Sequence, residues 1–193
     1  HEDDSVGIVV NGEIYNFQEL VPELKALGHT FKTRSDTEVI VHAWEAWGPE
    51  CVQRLRGMFA FALWDRRQQT LFLARDRMGV KPMHYALLPD GSFIFGSELK
   101  VLTAHPAFRR NIDPLAVEEF FALGYVADPR CIYSGAHKLP PAHTLTLRRG
   151  MVQCLVRPAW LAESFRSAAS KVVATLSRLW CVSGQASIHL SQI

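Results

Sequence analysis

Asn11, Gly12 and Glu13 are the sharpest local group of residues that could do chemistry in this sequence. They directly follow residues 6–10, a β-branched run that predicts a buried strand. An Asn amide and a Gly backbone N–H at a strand end offer two hydrogen-bond donors at one point, as an oxyanion hole requires. Glu13 beside them could hold an ammonium group. The alternative is a tight turn in which Gly12 takes a positive φ, because Asn-Gly pairs are common in turns.

Asp36 is the second carboxylate of interest. It follows Ser35, which we predict to be the N-cap of a helix. Asp36 would then be the first helical residue, where an acidic side chain complements the helix dipole. That role alone would account for Asp36. If Asp36 met Glu13 across a cleft, however, the two carboxylates would recognise a free α-amino group. The sequence leaves both interpretations open.

Other kinds of catalytic or metal chemistry are poorly represented. The four cysteines are widely spaced without a CxxC pair, so we predict neither a disulfide framework nor a metal site. Cys51 falls in an amphipathic segment and is predicted to be a buried or half-buried, small apolar residue. We predict surface or structural roles for the eight histidines. Walker, G-x-G-x-x-G, H-E-x-x-H and G-x-S-x-G patterns do not occur in the sequence.

Helices at the start and a run of strands after them must position these residues. Asn16 and Ser35 are each followed three residues later by Glu, which is typical of a capping box at a helix start. The spacing predicts helices over 17–27 and 36–47, a strand over 29–33 between them, later strands over 58–64, 70–74, 83–88, 92–96 and 144–147, and helices over 99–103 and 114–123. This order predicts an α+β fold with a mostly antiparallel sheet.

Composition limits the class of protein. With 193 residues and 48% hydrophobic residues, the chain can bury the core of one domain. Its 21 basic and 19 acidic residues give a formal net charge of +2, so charge provides no case for a nucleic-acid or membrane-surface partner. No apolar run is long enough to span a bilayer. We therefore expect a cytoplasmic protein.

Six motifs, taken in order, closely resemble the glutaminase domain of asparagine synthetases, and the resemblance covers about residues 5–150. They are Asn-Gly-Glu-Ile-Tyr-Asn at 11–16, Ser-Asp-Thr-Glu-Val-Ile at 35–40, Arg-Gly-Met-Phe-Ala-Phe-Ala at 56–62, Ala-Arg-Asp-Arg-Met-Gly-Val-Lys-Pro at 74–82, Gly-Ser-Glu-Leu-Lys at 96–100 and Lys-Leu-Pro-Pro at 138–141. Any one motif alone is weak, whereas the ordered set is very specific for the family.

The resemblance implies a fold, a reaction and roles for four residues. The fold is the N-terminal-nucleophile hydrolase-like αββα sandwich of two mostly antiparallel sheets, here truncated at the N-terminus. In the reaction, a cysteine at the mature N-terminus attacks the side-chain amide of glutamine, with its own α-amine as base. Asn11 and Gly12 would form the oxyanion hole, and Asn11, Gly12, Glu13 and Asp36 would bind glutamine.

The full-length family passes the ammonia to an ATP-using domain that converts aspartate to asparagine. From this we expect glutamine as a partner of this chain, with aspartate, ATP and magnesium belonging to the synthetase domain and a homodimer conceivable for the full-length form. We expect no cofactor in this chain, no metal, no nucleic acid and no membrane partner.

The sequence also departs from the family pattern. The family's nucleophilic cysteine precedes the Asn-Gly-Glu motif and has no counterpart here, and residues 182–187 do not match the pyrophosphate loop of the synthetase domain. We therefore expect an incomplete fragment that cannot hydrolyse glutamine by itself, with a partial glutaminase domain over 1–157 and a divergent tail over 158–193. Two alternatives remain open. One is a related amidotransferase with another acceptor, for example one associated with exopolysaccharide or protein sorting, and the other is an inactive, non-catalytic remnant.

Overall fold

Two antiparallel sheets and five α-helices make up the part of the chain that the structure describes. The structure is a computed structural model, and it describes residues 5–148 with their side chains and residues 151–153 as backbone. The strands are β1 (Val6–Ile14), β2 (Gly57–Asp65), β3 (Thr70–Arg75), β4 (His84–Leu87), β5 (Phe93–Gly96), β6 (His137–Lys138), β7 (Thr144–Arg148) and β8 (Met151–Gln153). The helices are α1 (Phe17–Ala26), α2 (Asp36–Trp47), α3 (Cys51–Arg54), α4 (Leu99–Thr103) and α5 (Pro114–Leu123), with a 3-10 turn at Gly48–Glu50.

The sheets pack face to face and carry helices on their outer faces. The larger sheet has the strand order β1-β2-β3-β7-β8 and the smaller one the order β5-β4-β6. Three hydrophobic clusters separate the layers: one between α1, α2 and the larger sheet, one between the two sheets, and one between the smaller sheet and α4. The predicted αββα sandwich is confirmed.

The layer formed by α1 and α2 is held to the larger sheet by both apolar and polar contacts. Trp44 of α2 packs its ring against that of Phe72, with the ring centroids 4.9 Å apart. Its indole N–H donates a hydrogen bond to Asp65 Oδ2 at 2.9 Å, in a buried setting. The indole therefore buries its large apolar surface without leaving its polar atom unsatisfied. This pair sets the distance between α2 and the end of β2.

The loop after β3 is organised around a buried carboxylate. Asp76 is only 1% exposed, and it accepts hydrogen bonds from the backbone N–H groups of Phe59, Met78, Val80 and Lys81 at 3.2, 3.0, 2.9 and 2.9 Å. Four donors around one carboxylate offset much of the cost of removing its charge from water. The loop is thereby tied to Phe59, near the start of β2.

The guanidinium of Arg75 ties the same loop to the other side of the molecule. It donates hydrogen bonds to the carbonyl oxygens of Lys81, Gly79 and Leu139 at 2.8, 2.9 and 2.6 Å, and to Asp128 Oδ2 at 2.8 Å. A planar donor of this kind can bind several acceptors at once, which a lysine could not reproduce. Arg75 and Asp76 thus stabilise the chain through different partners.

The predicted strand over residues 29–33 is wrong. The segment is irregular, and within the described residues it joins neither sheet. The N–H groups of Lys32 and Thr33 instead donate to the Glu38 carboxylate at 2.7 and 2.8 Å, so that the segment wraps around the first turn of α2. A capping box with Glu38 returning to Ser35 is therefore wrong as well, although Ser35 Oγ does cap the helix by accepting from Thr37 N–H.

These contacts also set the protonation of Glu38. Partial burial raises its pKa, but hydrogen bonds from the Thr33 hydroxyl and the Lys32 and Thr33 amides, together with the charge of His42, outweigh that effect. The net result is a pKa below the usual range for glutamate. Glu38 therefore remains an anion that anchors the segment before α2.

Several sequence predictions concern residues that the structure does not describe. Cys154, Cys181 and the tail over residues 158–193 lie outside the described residues, and the domain boundary at 157 stays a prediction. Among the helices that are described, none combines the length and the hydropathy needed to cross a membrane.

We expect Asp76→Asn to lower the free energy of unfolding by about 3 kcal/mol, because the Asn amide group would point N–H donors at backbone N–H donors in a buried site. Urea denaturation followed by circular dichroism measures the change. The control is Asp90→Asn, an exposed aspartate that accepts one backbone hydrogen bond, from Ser92 N–H. Equal losses in the two variants would contradict the role assigned to the Asp76 loop.

Candidate functional site

The Asn-Gly-Glu group lies within a strand and not at a turn. β1 continues through Asn11, Gly12 and Glu13 to Ile14, and these three residues face Ala60, Phe59 and Met58 of β2. The turn predicted as the alternative at Asn11-Gly12 is therefore wrong. The strand continues because this part of β1 is paired residue by residue with β2.

Gly12 is required by its backbone and by its surroundings. Its φ is +145°, a value that residues with a side chain rarely adopt. A Cβ atom at this position would lie 2.1 Å from the carbonyl oxygen of Met58 and 2.6 Å from Phe59 Cα. Gly57 on β2 is in a similar position, since its Cβ would lie 2.1 Å from the carbonyl oxygen of Glu13. The two glycines let the strands approach closely at this end.

The backbone N–H of Gly12 points to the open edge of β1. Tyr15 N–H donates to Arg56 O at 2.7 Å, and therefore faces the β2 side. The neighbouring Ile14 N–H faces the opposite side, where it donates to Asp36 Oδ2 at 2.8 Å. Because N–H directions alternate along a strand, Gly12 N–H lies on the same side as Ile14 N–H. In the described part of the chain, no strand pairs with that edge.

Asp36 lies against this edge and not merely at a helix start. It is the first residue of α2, and its half-buried carboxylate accepts from Ile14 N–H at 2.8 Å and from Ser35 Oγ at 3.4 Å. A carboxylate has about four acceptor positions, so Asp36 can accept further hydrogen bonds. Asp36 thus contacts the backbone of the residue that directly follows Glu13. Asp36 lies in the first turn of α2, where it complements the helix dipole, and its role in binding an α-amino group stays a prediction.

Glu13 and Asn11 carry polar groups available to a ligand. Glu13 is exposed and Asn11 is half-buried. Within the described part of the chain, neither side chain makes a hydrogen bond or an ion pair. The end of β1 therefore carries a backbone donor, a side-chain amide and one carboxylate, and the Asp36 carboxylate lies at its open edge.

Asn16 holds the end of β1 in place. Its side-chain amide donates to Arg54 O at 2.9 Å, and its Oδ1 accepts from Arg56 N–H at 2.8 Å. The predicted capping box, in which Asn16 would cap α1 with its side chain, is therefore wrong: the side chain makes no cap hydrogen bond. The competing partners come from the segment before β2, about 40 residues along the chain, and no local pattern could reveal them.

The two described cysteines are unsuited to nucleophilic attack. Cys51 is fully buried, as predicted, and desolvation raises the pKa of its thiol to about 12. Cys131 is also buried, and desolvation raises its pKa to about 11. Because the thiolate is the reactive form, neither residue is an activated nucleophile.

Sequence reasoning missed a cluster of potential metal ligands. His29, His42 and Glu45 place one ligand atom each within 4.8 Å of one another. Part of the signal is visible in the sequence, because His42 and Glu45 are three residues apart and share one face of α2. His29 comes from the irregular segment after α1, and only the tertiary fold brings it to the helix.

We expect Gly12→Ala to lower the free energy of unfolding by about 3 kcal/mol, because the added methyl group would meet the Met58 carbonyl and the φ of +145° would be strained. Chemical denaturation measures the loss. Gly135→Ala is the matched control, since nothing lies within 4 Å of a Cβ at that exposed position, and it should be close to neutral. A neutral Gly12→Ala variant would show that β1 and β2 are not so closely paired.

Comparison with known proteins places this architecture in a family. Residues 1–159 match the family described as the glutamine amidotransferase domain. The chain is 43% identical over 150 residues to asparagine synthetase (glutamine-hydrolyzing) 3 of Bacillus subtilis, covering 77% of this chain and 24% of that protein. It is 41% identical over 141 residues to a putative asparagine synthetase (glutamine-hydrolyzing) 2 of Methanocaldococcus jannaschii, covering 72% of this chain and 26% of that protein. The chain therefore spans about a quarter of the length of these relatives.

A solved structure supports the same fold. Glutamine phosphoribosylpyrophosphate amidotransferase from B. subtilis, complexed with ADP and GMP, superposes with a TM-score of 0.54 at 19% identity, covering 78% of this chain and 29% of that one. At this identity the likeness concerns the fold alone. The match over residues 1–159 decides the family: this chain belongs to the glutamine amidotransferase domain family.

Proposed function

We propose that this chain is the glutamine-binding part of a glutamine-dependent asparagine synthetase. In this proposal, glutamine is hydrolysed at the open edge of β1, and the ammonia is used in the ATP-dependent amidation of aspartate. The family match and the identity to synthetases from B. subtilis and M. jannaschii support it. The observation that carries the proposal is the hydrogen bond between Ile14 N–H and Asp36, because it places the Asp36 carboxylate at the edge of β1 to which the Gly12 N–H points.

Asn11 and Gly12 would stabilise the charge that develops during attack on the glutamine amide. The tetrahedral intermediate carries a negative oxygen, which the Gly12 N–H and the Asn11 side-chain amide would bind as donors. Loss of one such donor in other enzymes slows the reaction by about 10²–10³-fold. A backbone donor held in a paired strand needs no reorganisation when the charge forms, which favours this assignment for Gly12.

Glu13 and Asp36 would bind the α-ammonium group of glutamine. Each carboxylate can accept a charge-assisted hydrogen bond, worth about 1.5–3 kcal/mol. Their position next to the proposed oxyanion donors suits a ligand that has an ammonium group at one end and an amide at the other. The attacking thiol would come from a cysteine other than Cys51 and Cys131, since burial raises the pKa of both thiols.

Aspartate, ATP and magnesium belong to a further part of this proposal. Aspartate is favoured over other acceptors because the two relatives reported above are named as asparagine synthetases. Mg²⁺ prefers oxygen ligands. In the described residues, the one group of three potential ligands contains two histidines and does not fit that preference. In this proposal, ATP and Mg²⁺ bind outside the residues that the structure describes.

We expect the chain to bind L-glutamine in an NMR titration and to bind 4-carbamoylbutanoate at least 10-fold more weakly. The second compound is glutamine without its α-amino group, so it cannot bind to Glu13 and Asp36. Glu13→Gln and Asp36→Asn should each weaken glutamine binding by about 10-fold, as expected for the loss of one charge-assisted hydrogen bond. Chemical-shift changes as a function of ligand concentration provide the dissociation constants.

Glu19→Gln is the matched control for these variants. Glu19 is an exposed carboxylate on α1 that lies 3.8 Å from Arg56, the residue before β2. Its substitution should leave glutamine binding unchanged. The proposal would be refuted by equal affinity for glutamine and 4-carbamoylbutanoate, by absence of glutamine binding, or by equal effects of the Asp36→Asn and Glu19→Gln substitutions.

A further inference from the structure

A cluster of nitrogen and oxygen ligands lies where the segment after α1 meets α2. His29 Nδ1 is 3.5 Å from Glu45 Oε2, and His42 Nδ1 is 3.1 Å from the same oxygen. The two imidazole rings are 5.0 Å apart between centroids and are inclined by 49°. Three side chains from two separate segments thus converge on one small volume.

We propose that His29, His42 and Glu45 bind one divalent transition-metal ion, with Zn²⁺ as the best match. In a tetrahedral zinc site with bonds of about 2.0–2.1 Å, neighbouring ligand atoms are about 3.3 Å apart. The two measured separations to Glu45 Oε2 bracket that value, and all three ligand atoms lie within 4.8 Å of one another. A small approach of the two rings would complete the site.

The ligand types favour zinc over the harder cations. Two imidazoles and one carboxylate form a set that zinc accepts in proteins, with the fourth position left for water or another ligand. Calcium and magnesium prefer oxygen ligands alone. The choice of metal thus follows from the two histidines.

A second carboxylate stands where it would orient one of the ligands. Glu38 Oε1 lies 3.6 Å from His42 Nε2, the ring nitrogen that does not face Glu45. Metal-binding histidines usually have such a partner on their other nitrogen, which sets the tautomer and the ring direction. Glu38 is itself held by the N–H groups of Lys32 and Thr33. Glu38 is therefore fixed in position beside the His42 ring.

The ligand cluster packs against buried side chains on one side and is accessible to solvent on the other. His42 is 4% exposed, and its ring meets Phe31 edge-on with the centroids 4.6 Å apart. The side chains of His29 and Glu45 keep 19% and 20% of their surface exposed, so an ion can enter from that side. A bound ion would link the segment after α1 to the middle of α2.

Co²⁺ is the probe for this site, because its visible absorption reports the number and type of its ligands. We expect the chelator-treated 193-residue chain to bind one equivalent of Co²⁺, to lose the spectrum when Zn²⁺ is added, and to melt at a higher temperature with Zn²⁺ present. His29→Asn and Glu45→Gln should each weaken Co²⁺ binding at least 10-fold and abolish the rise in Tm. Both side chains are partly exposed, so these variants should fold, which circular dichroism checks.

His105→Asn is the matched control, because His105 lies in the turn after α4 and outside the cluster. It should bind Co²⁺ like the unaltered chain. The proposal is overturned if the unaltered chain binds no Co²⁺ in large excess, or if His29→Asn and Glu45→Gln bind as tightly as it does. It is also overturned by a thiolate-to-cobalt charge-transfer band, which would place the ion on cysteines.

Discussion

One hydrogen bond, from Ile14 N–H to the Asp36 carboxylate, joins the first residue of α2 to the open edge of β1. Within the described residues β1 pairs with β2 on one side alone, so the N–H groups on its other side need partners from outside the sheet. Asp36 supplies one partner from the first residue of α2. The start of α2 is thereby set against the end of β1, and the candidate site is defined by the same contact, because Gly12 and Glu13 lie within two residues of Ile14.

Local sequence signals suffice where an element is stabilised mainly by its own residues. Helix α5 begins at Pro114 after the Asp113 cap and ends before Gly124, whose φ is +81°, and it has the predicted bounds. The signals fail where a distant partner competes for the same side chain. Asn16 binds the segment before β2 instead of capping α1, and Glu38 binds Lys32 and Thr33 instead of returning to Ser35. Tertiary hydrogen bonds thus override the local capping pattern.

The sequence was enough to select the residues of the candidate site but not to predict how they are arranged in space. Asn11, Gly12 and Glu13 stand out as a donor and acceptor group in the sequence, yet the choice between turn and strand depends on pairing with β2. The close approach of Gly57, about 45 residues later, lets β2 pair with β1 at Glu13 and Ile14. The contact between Asp36 and β1 likewise depends on how α1 reverses the chain, which no local pattern encodes.

Helix α2 links the stability of the fold to the precision of the candidate site. Its inner face is held to the sheet by Trp44, which packs on Phe72 and donates to Asp65, so the helix cannot slide without breaking a buried hydrogen bond. Asp36 at its first residue is therefore positioned before any ligand arrives. Preorganised charges and dipoles act on a ligand without a cost of reorganisation at the moment of binding or reaction. The same burial that stabilises α2 thus holds the carboxylate of Asp36 and the outward N–H groups of β1 in one arrangement.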